Sequence, residues 1–454
     1  MKYKPREYQL IDYEKIRTAY KAGARSVIHV SPTGSGKTQV IGMICESAYM
    51  KKKSVLLLAH RNTILRQIHK KLKEFEIYHG IIAPGYPHLN YRIQVASVHT
   101  MIKRLKKYSR DTFSLIIIDE AHHIAANTWK TITEYFYTAK LYGATATPIR
   151  LDMQGLGNFF ETMVIGPSYQ YLCDMGFLSK PYYKIPDHID LSDIKSTMGD
   201  WNKKQLNQKM DKRCITGNAI EFYKKYADKK PALGFCVSIN HAEHVAEQFV
   251  KAGYKSKIIH SKLNETQNIK TIEELKNGVI DIVFSCDKIG EGADIPNVEA
   301  IILLRPTQSL TINHQQVGRG SRIMPGKDKF VVIDSAGNCE YHGLIYWPIK
   351  WKLTTTKFQP KIKAVKICQY CFAPYYANLS KCPDCGMSNK SNGKRKTEPI
   401  VRKGNLKEID YRTLNQEIRN ADNIVDLKKI GDKMNYNSNW AYHMWRQREL
   451  WENE

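Results

Sequence analysis

The stretch "HVSPTGSGKT" (residues 29–38) decides how this chain folds. The run "SVIHV" (26–30) leads into it and is short, apolar and β-branched, as a buried strand requires. "TQVIGMICESAYM" (38–50) follows with helical character. A Gly-rich turn between strand and helix wraps backbone N–H groups around phosphates at a helix N-terminus, where the helix dipole also favours negative charge. Thr33, Gly34, Ser35 and Gly36 form that turn; Lys37 is placed to reach the β- and γ-phosphates and Thr38 to hold Mg²⁺. The generic pattern has Gly five residues before Gly36, whereas this chain has Ser31. A chance Gly-rich turn is the bland alternative; a strand before and a helix after argue against it.

"LIIIDEAHH" (115–123) supports the same reading from about eighty residues downstream. Its apolar run delivers Asp119 to a strand's C-terminal end, where open α/β sheets bind ligands. There Asp119 can hold Mg²⁺ through its water shell, and Glu120 can orient and deprotonate an attacking water. A DE pair after a strand is common by itself; following a phosphate loop in one sheet, it is specific.

Working outward, short apolar runs recur between helical stretches. The first series is "SVIHV", "SVLLLAH" (54–60), "IQVAS" (93–97), "LIIIDE" and "LYGATA" (141–146). The second is "ALGFCVS" (232–238), "KIIH" (257–260), "DIVFSC" (281–286), "AIILLRP" (300–306) and "FVVID" (330–334). Continuous apolar strands alternating with helices predict parallel sheets covered on both faces. The expected fold class is α/β: two tandem RecA-like parallel-sheet domains, then a small zinc-ribbon-like element and a helical C-terminal region. The expected boundaries are 1–165 and 231–347 for the two domains, 166–230 for a linker and helical insert, 348–400 for a basic four-cysteine element, and 401–454 for the helical region. "GFLSKPYYKIP" (176–186) reads as an extended linker. No repeat of fixed period appears beyond the doubled α/β unit.

The 454 residues exceed what one core organises, so two or three domains are expected. Seventy Lys and Arg against 44 Asp and Glu give a formal charge of +26. That surplus points to polyanionic partners, because Lys and Arg neutralise phosphates and release counterions; a solvated basic surface is the alternative. No run of ~18 apolar residues and no N-terminal apolar core of a signal peptide is present, so a soluble intracellular protein with no membrane partner is expected. Cys45, Cys173, Cys214, Cys236, Cys286 and Cys339 are scattered singly and read as small buried hydrophobes in a reducing compartment.

With these motifs in this order, the chain resembles the superfamily 2 helicases of DEAH-box type through residues 1–337. "PREYQ" (5–9) is similar to the adenine-reading element of that family, which implies Arg6 and Gln9. "LLLAHRNTILRQ" (56–67) and "VASVHTM" (95–101) resemble its strand-contacting motifs and imply Arg61, Ser97 and Thr100; Ser238 and Ser285 are the corresponding contacts in the second domain. "GATATP" (143–148) resembles the coupling motif, with Thr145, Thr147 and His122 linking hydrolysis to movement. "GEGADIP" (290–296) implies Gly292 and Asp294 at the domain interface, and "QQVGRGSR" (315–322) implies Gln315, Arg319 and Arg322. Read on a helix, Arg319 and Arg322 would share one face as arginine fingers reaching ATP from the second domain. "VIDSAGNCEYHG" (332–343), "NHAEHVAEQF" (240–249) and the "GDW…QLNQKM" insert are similar to the RadD-like and bacteriophage branch-migration helicases. That likeness implies forked or branched DNA in recombination, repair or replication, in the cytoplasm of a bacterial or phage-infected cell, and monomeric action.

"CQYCFAPYYANLSKCPDC" (368–385) has metal-ligand spacing. Cys368, Cys371, Cys382 and Cys385 fit a closed tetrahedral Zn²⁺ site, with iron–sulfur ligation the competing assignment. Around it, residues 350–408 carry 14 Lys and Arg against three Asp and Glu. The interspersed aromatics suit strand binding; equally, Trp347 and Trp351 could pack on the second domain. "WAYHMWRQRELW" (440–451) reads as a helix with a buried aromatic face.

The function expected is an ATP-dependent DNA helicase or translocase using ATP, Mg²⁺ and structural Zn²⁺. The alternatives are an ATP-switched clamp that does not unwind, an RNA helicase, and a motor subunit of a restriction-type complex.

Overall fold

The structure is a computed structural model that describes residues 4–87, 89–150, 152–185, 191, 193–197, 200–211, 213–286, 295, 297–358, 365–367, 374–376, 379–381, 387, 423 and 425–428. Two open sheets organise them. The first contains β1 (Ser26–Val30), β2 (Val55–Ala59), β3 (Gly80–Ile82), β4 (Ile93–Ser97), β5 (Leu115–Asp119), β6 (Lys140–Thr145) and β7 (Thr162–Ile165), in the order β3-β4-β2-β5-β6-β1-β7. Every neighbouring pair is parallel. Helices α1 (Glu7–Lys21), α2 (Lys37–Met50), α3 (Asn62–Glu74), α4 (Val98–Arg104) and α5 (Asn127–Tyr135) cover it. Alternate residues along the strands fill two separate apolar layers: Val55 and Leu57 face the layer built with Ile41 and Ile68, whereas Leu56 and Leu58 face the one with Ile132 and Phe136. This explains why the strands read as unbroken apolar runs. Each such buried side chain contributes about 1.5–3 kcal/mol over leaving it exposed.

After α6 (Tyr169–Asp174) the chain forms β8 (Lys180–Lys184), a hairpin of β9 (Ser196–Thr197) and β10 (Asp200–Trp201), and helices α7 (Lys203–Met210) and α8 (Arg213–Ala227). The second sheet adds β11 (Ala232–Phe235), β12 (Ser256–Ile259), β13 (Ile282–Ser285), β14 (Ala300–Leu303) and β15 (Lys329–Asp334) in the order β12-β13-β11-β14-β15-β8, again parallel throughout. Its helices include α9 (Ile239–Lys251), α10 (Glu265–Lys276), α11 (Leu310–Val317) and α12 (Asn338–His342). Ser238, Asn264 and Ser309 cap α9, α10 and α11 by accepting N–H bonds from the first turn.

Two expectations change here. The stretch expected as an extended linker supplies β8, the outer strand of the second sheet beside β15. Pro181 has no N–H to donate, and an outer strand with one neighbour tolerates that. The insert is likewise no separate unit: Ala219, Phe222, Tyr223 and Ala227 of α8 pack with Ala232, Ile302 and Val331 of the second sheet.

Past α12, the chain returns to the first sheet. Gly155 N–H donates to Thr356 O and Gly157 N–H to Thr354 O, while Trp351 and Leu353 pack against that sheet's apolar layer. Trp347 stays with the second body, stacked on Tyr376 at 4.0 Å between ring centres. A final antiparallel pair, β16 (Val365–Ile367) and β17 (Pro374–Tyr376), docks through Val365 onto the core of the second body. Cys368, Cys371, Cys382, Cys385 and the 440–451 stretch lie outside the described residues. Cys45, Cys173, Cys236, Cys286 and Cys339 are buried thiols. No helix among the described residues is long and apolar enough to cross a membrane.

Candidate nucleotide and nucleic-acid site

The phosphate loop leaves β1 at the C-terminal edge of the first sheet. Gly34 and Gly36 both have φ near +85°, where a side chain would be strained. A Cβ on Gly36 would also lie 2.4 Å from Gln9 Nε2. Lys37 is buried and its Nζ donates to the carbonyls of Ser31 (3.1 Å) and Pro32 (3.2 Å), so the loop folds around the ammonium. Ser31 Oγ donates to Ser35 Oγ at 2.8 Å. The residue that departs from the generic pattern thus closes the loop on itself. Thr38 is half-buried in the first turn of α2.

The start of α1 lies over this loop. Gln9 Nε2 and Tyr8 OH both donate to Ser35 O, at 3.1 and 2.7 Å. Gln9 Oε1 accepts the Arg6 N–H, closing a capping box, and the Arg6 guanidinium lies 4.5 Å from the Phe177 ring centre. Beneath, His29 bridges Asp12 Oδ2 and Tyr142 OH at 3.0 Å each, all three buried. This network ties α1 to β1 and β6, and sequence reading missed it because no local spacing connects the three positions.

Asp119 ends β5, and its Oδ1 accepts the Glu120 N–H at 3.0 Å. Glu120 takes a left-handed conformation (φ +55°), uncommon for a residue with a side chain and frequent at functional sites. His122 Nδ1 stands 3.4 Å from both Glu120 Oε2 and Thr145 Oγ1. Thr145 Oγ1 donates to Thr147 O at 2.9 Å, and Thr147 Oγ1 meets Thr311 Oγ1 of α11 at 2.8 Å. The expected coupling residues therefore form one continuous chain reaching the second sheet.

The two bodies meet at the phosphate loop. A Cβ on Gly318 would lie 2.8 Å from Thr33 Cβ, and one on Gly34 would lie 3.1 Å from Ser321 Oγ. Gln315 is buried in α11 and Arg319 is buried just past it. The expectation that Arg319 and Arg322 share a helical face is corrected. The helix ends at Val317, Arg319 sits in the following turn, and Arg322 lies in non-helical chain beyond it. Gly320 is pressed on Phe330, where a Cβ would lie 2.2 Å from the ring. Lys327, buried, donates Nζ to Gly320 O (2.7 Å) and Arg322 O (2.8 Å), fixing the turn; burial pushes its pKa down to about 8. Nothing in the local pattern marked Lys327.

Residues 2–150 match the family described as type III restriction enzyme, res subunit, and residues 215–324 match the helicase conserved C-terminal domain. A 51.5 kDa protein of a Lactococcus phage (isolate 7-9) is 31% identical over 365 residues, covering 78% of this chain and 76% of the phage protein. The chain belongs to the superfamily 2 helicases. The Saccharomyces cerevisiae protein named "Putative ATP-dependent helicase IRC3" is 28% identical over 368 residues, 73% of this helicase and 51% of that protein. The match thus spans about half of the yeast relative's length. Among solved structures, an HsdR-subunit fragment of a type I restriction enzyme from Vibrio vulnificus YJ016 superposes with TM-score 0.60 at 21% identity, covering 75% of this chain and 67% of that one. The DNA-bound type ISP enzyme LlaBIII gives 0.54 at 17% identity, over 73% and 28%. These two likenesses carry the tandem fold. The helicase is an ATP-dependent motor of its superfamily, with ATP and Mg²⁺ as the expected ligands.

The expected strand contacts of the helicase lie at the same edges of the two sheets. Arg61 follows β2 and starts α3; Ser97 ends β4 and Thr100 is on α4. Ser238 follows β11 and caps α9, and Ser285 ends β13 and is buried. Gly292 and Asp294 lie outside the described residues.

Proposed function

We propose that this helicase hydrolyses ATP in the cleft between its two sheets and uses closure of that cleft to move along DNA. The observation that carries the reading is the apposition of Thr33 and Gly34 with Gly318 and Ser321, which brings the arginine-bearing turn of one body to the phosphate loop of the other. Thr33 to Thr38 cradle the triphosphate, Lys37 neutralises β/γ charge, and Arg6 and Gln9 contact the base. Thr38 and Asp119 would hold Mg²⁺, which would supply positive charge at the triphosphate. Glu120 accepts a proton from water as the water oxygen bonds to the γ-phosphorus and the β–γ bridging oxygen departs with its electron pair. Arg319 and Arg322 stabilise the charge that develops. Stabilisation of this kind raises rates by roughly 10³–10⁵.

DNA as the track, forked or branched in particular, rests on the +26 charge and on the likeness to the RadD-like and phage branch-migration group. Action in the cytoplasm of a bacterial or phage-infected cell is part of the same proposal. Zn²⁺ at Cys368, Cys371, Cys382 and Cys385 is part of the proposal, supported by the sequence order: the first Cys-x-x-Cys pair falls between β16 and β17 and the second follows β17. Docked by Val365, that clasp holds the basic arm beside the second body.

The test is ATPase rate against single-stranded DNA, blunt duplex, fork, four-way junction and RNA, paired with strand displacement. Stimulation by branched DNA with displacement lost in Lys37→Ala supports the reading; no stimulation by any nucleic acid overturns it. A second reading, a motor for a restriction-type assembly, draws on the res-subunit family and the HsdR fragment. Such a motor would displace a triplex strand from duplex DNA without opening a fork.

A further inference from the structure

Thr307 is fully buried, and its polar atoms are claimed from three directions. Its N–H donates to Asn338 Oδ1 (2.9 Å), and its carbonyl lies 2.8 Å from His342 Nε2. Its hydroxyl donates to Asp200 Oδ2 (2.9 Å). Asn338 and His342 belong to α12 of the second body, whereas Asp200 comes from the β9–β10 hairpin of the insert. Asp200 Oδ1 also accepts the Gln308 N–H at 2.7 Å, and Gln308 Nε2 donates to Ser196 Oγ of the same hairpin at 2.8 Å. Trp201 packs edge-on against Tyr341 at 5.3 Å. Thr307 and Gln308 immediately precede Ser309, the cap of α11, the helix that carries Gln315 and runs into the Gly318–Arg322 turn against the phosphate loop.

The other end of the insert reaches the strand-contact edge. Asn202 caps α7, accepting from Lys204 and Gln205 N–H, and Asn207 Oδ1 of that helix accepts the Ser238 hydroxyl at 2.5 Å. One small element thus bonds both to Ser238, at the edge where nucleic acid would lie, and to the loop that sets α11. Nothing in hydrolysis itself requires this second attachment, since α12 already holds Thr307 by two bonds.

We propose that Asp200 is a positioning residue through which nucleic-acid occupancy at Ser238 sets the Gly318–Arg322 turn against the phosphate loop. The path runs from Ser238 to Asn207, along α7 to the hairpin, and through Asp200 to Thr307 and Gln308. The carboxylate takes no part in the chemistry; it transmits the position of the insert to α11. This inference rests on the reading that nucleic acid stimulates the ATPase.

The experiment measures steady-state kcat and KM for ATP with and without saturating oligo(dT), on the full chain. Asp200→Ala removes both acceptors and is expected to lower the stimulated-to-basal kcat ratio by roughly three- to thirtyfold while KM for ATP holds. Asp200→Asn keeps the acceptor that serves Gln308 N–H and is expected to recover most of the ratio. Asn207→Ala cuts the other end of the path and lowers the ratio in the same direction, and it carries the test alone if Asp200→Ala does not fold. A wild-type ratio in folded Asp200→Ala or Asn207→Ala overturns the inference and leaves the motor reading intact. A wild-type enzyme with no stimulation overturns both.

Discussion

Thr147 Oγ1 and Thr311 Oγ1 lie 2.8 Å apart, one hydroxyl from each body, and both side chains are buried. This contact joins the His122–Thr145–Thr147 chain to α11. Removing one partner strands the other in a dry interface at a cost of about 1–3 kcal/mol, whereas replacing both by apolar groups of the same shape costs less. Thr147→Val and Thr311→Val are therefore each expected to slow ATP turnover, and the double variant to do little worse than either. A double-mutant cycle on kcat measures this, and additive losses would show that the hydroxyls do not act together.

Lys37 and Glu120 separate binding from turnover. Lys37→Ala removes the ammonium that the loop folds around, so fluorescent nucleotide binding and hydrolysis are expected to fall together. Glu120→Gln leaves the cradle intact, so binding persists while kcat drops by about 10²–10⁴. Equal loss of nucleotide affinity in both variants would contradict the assignment.

Gly36→Ala tests the cradle directly. The new methyl meets Gln9 Nε2 at 2.4 Å in a backbone conformation with φ +85°. A left-handed alanine costs on the order of 1–3 kcal/mol, and Gln9 must move as well. Weakened ATP binding with a near-native circular dichroism spectrum is expected.

Acid should loosen the second body. Burial lowers His241 and His342 to about 4 and His314 to about 3, from an ordinary value of 6.5. Folded pKa values below the unfolded ones mean that the unfolded chain takes up protons first. The stability so contributed is fully present above pH ~6.5 and is lost as pH falls toward 4, at about 1.4 kcal/mol per unit for each histidine in that window. Denaturant midpoints at pH 7.5, 6 and 5 should fall in that order. His342→Gln, which can still donate to Thr307 O, should flatten the trend.

The parallel strands were legible because a strand buried on both faces must be apolar at every position, as Val55–Leu58 are. Gly80–Ile82, Thr162–Ile165 and Lys180–Lys184 escaped notice: the first is only three residues long, and the latter two are outer strands with polar or prolyl positions. The place of the Gly-rich loop between β1 and α2, and of Asp119 at the end of β5, was legible because a strand, a turn and a helix follow one another within a few residues there. The Asp12–His29–Tyr142 network, Lys327 and the Asp200–Thr307 bond were not, since each joins residues far apart in sequence through burial alone. The arginines' shared helical face failed for a local reason: Gly318 and Gly320 end the helix to let backbone approach Thr33 and Phe330.

The chain passes between the two bodies three times, between Ile165 and Lys180, between Trp347 and Trp351, and between Phe358 and Val365. A single tether would let one rigid body swivel about a point in any direction. Each further tether removes directions of that swivel, and three leave little of it. Opening and closing of the cleft is thereby held to a narrow range of relative positions, which the two bodies can revisit turnover after turnover.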